Sequence, residues 1–302
     1  MKRAIVEEAY TPLTEARNPT TDQIDTLDAR GIVALINAED AGVAQAVAAV
    51  GDAIAALAEQ TAARIRRGGR LIYAGAGTSG RLGVLDAAEC PPTFSTPPSM
   101  VRGLIAGGTD ALTRAMEDVE DSPASGAHDI IAIDVGPDDV VVGLAASGRT
   151  PYVLGAVAEA RRRGALSAAI TCSHPSPLSE AVEIVIAPLV GPEVIAGSTR
   201  MKAGTAQKMV LNSLSTTVMV LLGKTYGNLM VDLQPLNAKL RRRAVQIVAT
   251  ATGLDAAAAQ QVLDAAGFDT KVAIVMVLAN IDRVEAQQRL ATAGGHVRAA
   301  LD

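Results

Sequence analysis

Residues 69–92 read GRLIYAGAGTSGRLGVLDAAECPP. The stretch parses as strand, turn, helix and stop. Leu71, Ile72, Tyr73 and Ala74 form a short apolar run of strand type. Gly75-Ala76-Gly77-Thr78-Ser79-Gly80 follows as a flexible loop with two hydroxyls. From 81 to 89 the period becomes helical, with Leu82, Leu85 and Val84 expected on the inner side, and Cys90-Pro91-Pro92 is expected to end the helix. A strand feeding a glycine loop at a helix start is a ready anion site, because exposed N–H groups and the positive end of the helix dipole face the ligand. Glu89 falls at the far end of that expected helix.

Working outward, two helices precede this unit, one capped by Asp25 or Thr26 and running to about 37, the other opened by Glu39 and Asp40 and running to about 67, with Gly51 a weak point in the second and Gly68-Gly69 its stop. Residues 1–25 have little periodicity. Two readings stand for them: an ordered polar arm, or a frayed terminus. Downstream, apolar runs at 100–106, 139–144, 166–171 and 183–187 read as strands. Helical patterns are expected at 109–119, capped by Thr109-Asp110, at 151–163, and over a long stretch, 201–222. A short helical or extended piece is expected at 128–133. Apolar strands alternating with helices predict a doubly wound α/β sandwich around a parallel sheet, with ligands at the carboxyl ends of its strands. From 237 onward only short helices are expected, at 238–251, 255–266, 271–280, 283–291 and 297–301. The expected division is therefore a sheet domain over 1–236 and a small helical bundle over 237–302.

The chain has 302 residues, 49% of them apolar, enough for a sizeable core. It has no Trp and two Phe, which argues against an aromatic platform for single-stranded nucleic acid. Net charge is -5 with no long basic run, and the triplets at 161–163 and 241–243 read as solvated helix faces. No nucleic-acid partner is expected. Cys90 and Cys172 show no CxxC spacing, which points to a reducing compartment and to neither a disulfide framework nor a zinc site. The N-terminus lacks a long apolar region, so no signal peptide is expected. The apolar stretch 209–223 carries Asn212, Ser213, Ser215, Thr216 and Thr217, so it reads as a buried helix rather than a membrane span. The expected location is the cytoplasm.

Gly75 to Gly80 matches G-x-G-x-x-G, but a dinucleotide site also needs an acidic residue about 20 positions on. The first acid past the next strand is Asp110, which is late. Three readings stand: the phosphate of a small molecule, favoured by Thr78 and Ser79, a dinucleotide, or a structural turn. Ser147-Gly148-Arg149-Thr150 repeats the design after another strand, with a guanidinium added and Pro151 opening the helix. Two such loops on one parallel sheet suggest a shared anionic ligand. Glu89 has two readings. Carbonyl dipoles at a helix C-terminus disfavour the charged form, which suits a general acid; or it is an exposed glutamate at a frayed end. Glu117 and Glu120 share a face at i, i+3 within an acidic run. His128, His174 and His296 have no metal spacing.

Taken together, five blocks are similar to the N-acetylmuramic acid 6-phosphate etherases, within the sugar isomerase (SIS) phosphosugar-binding superfamily. They are Thr14-Glu15-Ala16-Arg17-Asn18, GRLIYAGAGTSGRLGVLDAAECPPTF at 69–94, AMEDVEDS at 115–122, VVGLAASGRTPYV at 141–153 and GSTRMKAGTAQKMVLN at 197–212. The resemblance implies a cytoplasmic homodimer that recycles bacterial cell-wall sugar, without metal or organic cofactor. It implies cleavage of a D-lactyl ether from a phosphosugar substrate. Glu89 matches the family's proton donor and Glu120 its second catalytic acid. Ser79, Ser147, Gly148 and Thr150 match its phosphate loops, and Gly77, Thr78 and Arg149 are taken with them. Glu193, Lys202 and His296 complete the substrate-binding candidates. The tail resembles a ubiquitin-associated-like bundle. The N-terminal arm and the His296 loop are expected to close over a partner's site. Two alternatives share the fold: a phosphosugar isomerase, and a non-catalytic phosphosugar sensor like the glucokinase regulators.

Overall fold

Five strands pair in parallel in the computed structural model, which describes residues 13–116, 118–233 and 238–302. They are β1 (Leu71–Gly75), β2 (Val101–Ile105), β3 (Val140–Leu144), β4 (Leu166–Ile170) and β5 (Ile184–Ile186), in the order β2-β1-β3-β4-β5. Gly75 stands beside Ile105 on one side and Leu144 on the other, so these three strands end level. Every residue of β1, β3 and β4 is buried, which is why they read as continuous apolar runs.

Helices cover both faces, as expected of a doubly wound sheet. In chain order the first eight are α1 (Ala29–Asp40), α2 (Val43–Ala48), α3 (Gly51–Arg66), α4 (Gly77–Phe94), α5 (Pro123–Ala132), α6 (Pro151–Arg162), α7 (Pro177–Glu180) and α8 (Lys202–Leu221). Strand side chains alternate between the faces. Leu71, Tyr73, Val140 and Val142 meet Leu57, Ala62, Ala206, Val210 and Leu214 of α3 and α8. Ile72, Ala74 and Val141 meet Ile130, Ala156 and Ala160 of α5 and α6. Helices α5 and α6 touch backbone to backbone: a Cβ at Gly126 would overlap the Tyr152 carbonyl, and one at Gly155 the Pro123 carbonyl.

Several sequence expectations are corrected. Asp28, not Asp25 or Thr26, caps α1, its Oδ1 accepting from Gly31 N at 2.8 Å. Glu39 and Asp40 close α1 instead of opening the next helix, which splits into α2 and α3 with Gly51 at the start of the latter. The helix expected at 109–119 is only a 3₁₀ turn, Gly108–Leu112. A full helix, α5, begins after it with the Ser122 hydroxyl accepting from Ser125 N. The loop after β4 holds the short α7, which carries a Ser176–Ser179 capping box. The described part of the arm is not frayed: Thr14, Asn18 and Thr21 are buried against their own chain. Thr14 O accepts from Gly197 N at 3.0 Å, and Thr21 Oγ1 donates to Val194 O at 2.9 Å.

Beyond α8 come α9 (Ala238–Thr252), α10 (Ala256–Ala265), α11 (Thr270–Ala279), α12 (Arg283–Thr292) and α13 (Val297–Leu301). They enclose a second core around Ala244, Val248, Leu263, Ile274 and Ala286, which also takes in Val231 and Leu233. The division expected at 236/237, like Glu117, lies outside the described residues. Asp232 joins the two cores, its carboxylate pairing with Lys224 at 2.7 Å and Lys271 at 3.1 Å. Among the described residues no single helix is long and apolar enough to cross a membrane.

Candidate functional site

After β1 the chain leaves toward β2, and after β3 toward β4 on the opposite side, so the crevice at the ends of β1 and β3 is the switch point where open α/β sheets bind ligands. Both glycine loops emerge there. In the first, Gly75 and Gly80 lie so close that a Cβ on either would overlap the other's backbone. That tight turn brings the start of α4 directly onto the strand end. Ala76 is the extended N-cap, no side chain caps the helix, and the first internal bond is Gly80 N to Ala76 O at 3.0 Å. The N–H groups of Gly77, Thr78 and Ser79 therefore point out of the helix end, the arrangement an anion requires. Gly77 is exposed and Thr78 half-buried. Ser79 is nearly buried, and its hydroxyl donates to Gln207 Oε1 at 2.8 Å.

The second loop is braced from behind. Gly148 has φ +67°, and a Cβ there would run into the Ser176 side chain. Its carbonyl accepts from Leu178 N at 2.9 Å, and the Ser147 hydroxyl accepts from Arg149 N at 3.3 Å. Arg149 is exposed and Thr150 half-buried. Unlike α4, helix α6 is closed at its start, because Tyr152 N donates to the Glu120 carbonyl at 2.9 Å. That bond fixes the backbone of Glu120 to the helix that begins with the second loop.

Glu120 is exposed and lines a cavity of about 370 Å³ with Gly77, Arg81, Ala106, Met116 and Asp121. The structure thus brings Glu120 to the open end of α4. It does not bring Glu89 there. Helix α4 runs through Pro91 and Pro92 to Phe94. At 1.5 Å per residue, Glu89 stands about 18 Å along the axis from Gly77. It also lies outside the last turn, so the carbonyl-dipole argument for a general acid does not apply. Glu89 is exposed, and Leu85, one turn before it, is half exposed instead of facing inward.

The inner face of α4 is made by Gly83, Asp86, Ala87 and Cys90. Asp86 accepts from Tyr73 Oη at 2.9 Å, Asn212 Nδ2 at 2.9 Å and Ser215 Oγ at 3.0 Å, joining α4 to β1 and α8. Burial raises its pKa, and the three donors oppose that rise. Burial, with the Asp86 and Glu89 charges, pushes the Cys90 thiol up to about 12, which leaves it inert.

Glu193 and Lys202 are buried and face other groups. Glu193 caps α8, its oxygens accepting from Lys202 N at 3.0 Å and Ala203 N at 2.9 Å. Lys202 Nζ donates to Glu39 Oε2 at 2.6 Å, and Glu39 also takes Asn18 and Thr20. His296 precedes α13 and packs on Gly223, while Gly204 at the opposite end of α8 packs on Thr78. From 204 to 221, where α8 ends, the rise is about 26 Å. Within one chain, then, Gly77, Thr78, Ser79 and Glu120 meet beside the 147–150 loop; Glu193 and Lys202 stand at the start of α8, whose Gly204 packs on Thr78, whereas Glu89 and His296 stand apart. Arg81, Gln207 and Asp86 were not singled out from sequence. The one available signal was a polar residue on the inner face of an otherwise apolar helix. Among the described residues no group of three His, Cys, Asp or Glu is placed to hold a metal.

The family model described as the glucokinase regulatory protein N-terminal SIS domain matches residues 52–161, and the SIS domain model matches 118–217. The N-acetylmuramic acid 6-phosphate etherase of Serratia proteamaculans is 54% identical over 289 residues, covering 96% of this chain and 97% of the relative. That of Cutibacterium acnes is 54% identical over 96% of this chain and 95% of its own length. A solved structure of a phosphoheptose isomerase from Francisella tularensis superposes with TM-score 0.43 at 19% identity, covering 63% of this chain and 97% of that one.

Proposed function

The chain belongs to the N-acetylmuramic acid 6-phosphate etherase family, and from this we propose that it releases D-lactate from N-acetylmuramic acid 6-phosphate, leaving N-acetylglucosamine 6-phosphate. The observation that carries the reading is the 54% identity over 96% of the chain. The uncapped start of α4 at the β1/β3 crevice supports it, being a fit for the sugar phosphate. The sensor alternative has in its favour the match of residues 52–161 to the glucokinase regulatory protein SIS domain, a shorter span than the etherase identity over 96% of the chain.

An ether oxygen is a poor leaving group, so direct displacement at C3 is slow. Elimination avoids this. With the ring open, the C1 aldehyde acidifies the C2 proton. A base removes that proton, the C3–O bond breaks, and an acid protonates the departing lactate oxygen. Water then adds across the C2–C3 double bond, its oxygen to C3 and a proton to C2. This makes the enzyme a carbon–oxygen lyase in its first half-reaction. We assign Glu120 to take and return the C2 proton, and Glu89 to protonate lactate and then activate water. The phosphate, held on the Gly77–Ser79 amides and by the 147–150 loop, anchors the far end so that its binding energy positions the reacting carbons.

One chain holds Glu89 about 18 Å along α4 from Gly77, at 1.5 Å per residue, so both carboxylates reach one substrate only if a second chain supplies one of them. The homodimer, a cytoplasmic location and a role in recycling cell-wall amino sugar belong to the same reading.

Incubation with N-acetylmuramic acid 6-phosphate in deuterated, ¹⁸O-enriched water tests it. D-lactate should appear, with deuterium at C2 and solvent oxygen at C3 of the sugar. Absence of lactate, or label in the lactate oxygen instead of at C3, would refute the reading.

A further inference from the structure

Residues 113–116 and 118–121, which lead to Glu120, form no helix or strand despite their helical pattern. Helix α4 takes up two carbonyls at the start of this stretch, one just before it and one within it. Arg81 Nε donates to Leu112 O at 3.2 Å, and its Nη2 donates to Arg114 O at 2.8 Å. The same side chain lines the Glu120 cavity. At the far end, Tyr152 N holds the Glu120 carbonyl. Between these ties Asp118 sits at φ +67°, in the left-handed region that few non-glycine residues adopt.

We propose that Arg81 is a positioning residue for Glu120: its planar fork draws the loop onto the second turn of α4, so that the helix presenting its amides to the phosphate also sets where the carboxylate stands. The inference rests on Glu120 being the base at C2. A guanidinium suits the task because it has five donors in fixed geometry and stays charged. Two carbonyls on one loop need two diverging donors, which the compact ammonium of lysine supplies poorly. Proton transfer is steeply sensitive to donor–acceptor distance, so a loop displaced by about an ångström costs on the order of 100-fold in rate while the phosphate contacts survive.

The test compares R81A, R81K and E120Q in the full chain. R81A should lower kcat about 50-fold with KM changed less than threefold. Hydrogen exchange should quicken in peptides spanning 112–121 and not across β1, β3 or α8. Free guanidinium should restore at least tenfold of the lost rate. R81K, which keeps the charge and the stem, should lose about tenfold in kcat. A raised KM with kcat kept would make Arg81 a substrate contact and overturn the proposal. So would faster exchange throughout the sheet, which marks a purely structural role. If E120Q retains full turnover, the reading of Glu120 is what fails. If E120Q is inactive while R81A and R81K turn over normally, only the role of Arg81 fails.

Discussion

Lys202 and Glu39 form the buried ion pair that fastens the N-terminal arm to α1 and α8. The Lys202 hydrogen bond, then Thr20, lower the Glu39 pKa from its ordinary value of 4.5 against the opposing effect of burial. A depressed carboxylate stabilises the fold fully above its unfolded pKa and loses that contribution as pH falls through the folded value. Wild type should therefore exceed E39Q in stability above about pH 4.5, and the difference should vanish in denaturant titrations at lower pH. A gap that persists at pH 2 would refute the linkage. Asp86 acts in the opposite sense, since burial raises its pKa and stability is lost as pH climbs from 3.8 toward that raised value. At this scale the sequence was legible for loops and opaque for partners. Thr78, Ser79 and Ser147 announce themselves because a glycine turn with hydroxyls is a local pattern. Lys202 gives no such sign. Its partner comes from the end of α1, and only the fold shows that the pair is internal.

Helix α4 shows what amphipathic pattern misses. Its inner face is polar and small, Gly83, Asp86 and Cys90, because Tyr73 and α8 offer hydroxyl and amide donors there; a leucine is left outside. The sheet itself was readable throughout, since buried parallel strands have little choice but to be apolar. The failed helix before Glu120 was not, because the competing donors belong to Arg81, on another element. Asp134 follows α5 at φ +50°, its side chain is 99% exposed, and its carboxylate pairs with Arg163 at 3.3 Å. An exposed pair of that kind contributes roughly 0–1 kcal/mol. Glycine removes the left-handed strain that aspartate bears at the end of a helix. D134G should thus raise stability by about 0.5 kcal/mol, seen as a higher denaturation midpoint with unchanged slope. A lower midpoint would show that the Arg163 pair matters more than the backbone.

Across the whole molecule, the separation of Glu89 from Glu120 makes a prediction about assembly. E89Q and E120Q should each be inactive alone. Co-expressed with different tags, they form mixed dimers in which one site of the two holds both carboxylates. Activity of the random mixture should reach about a quarter of wild type. Sites contained within one chain would give none. The two cores, one around the sheet and one in the terminal helices, were visible in sequence as a change from strand-helix alternation to short helices alone. Their joint at Asp232 was not, because it links residues from three separate segments. The approach of α5 and α6 was hidden for the same reason. Gly126 and Gly155 each face a carbonyl that leaves no room for a methyl group. Helix α5 starts just past Glu120 and α6 starts at the second loop. For an evolving lineage this means that two positions outside both glycine loops are as closed to drift as the two carboxylates proposed to carry the reaction. A saturation library selected for growth on the substrate should return glycine alone at both.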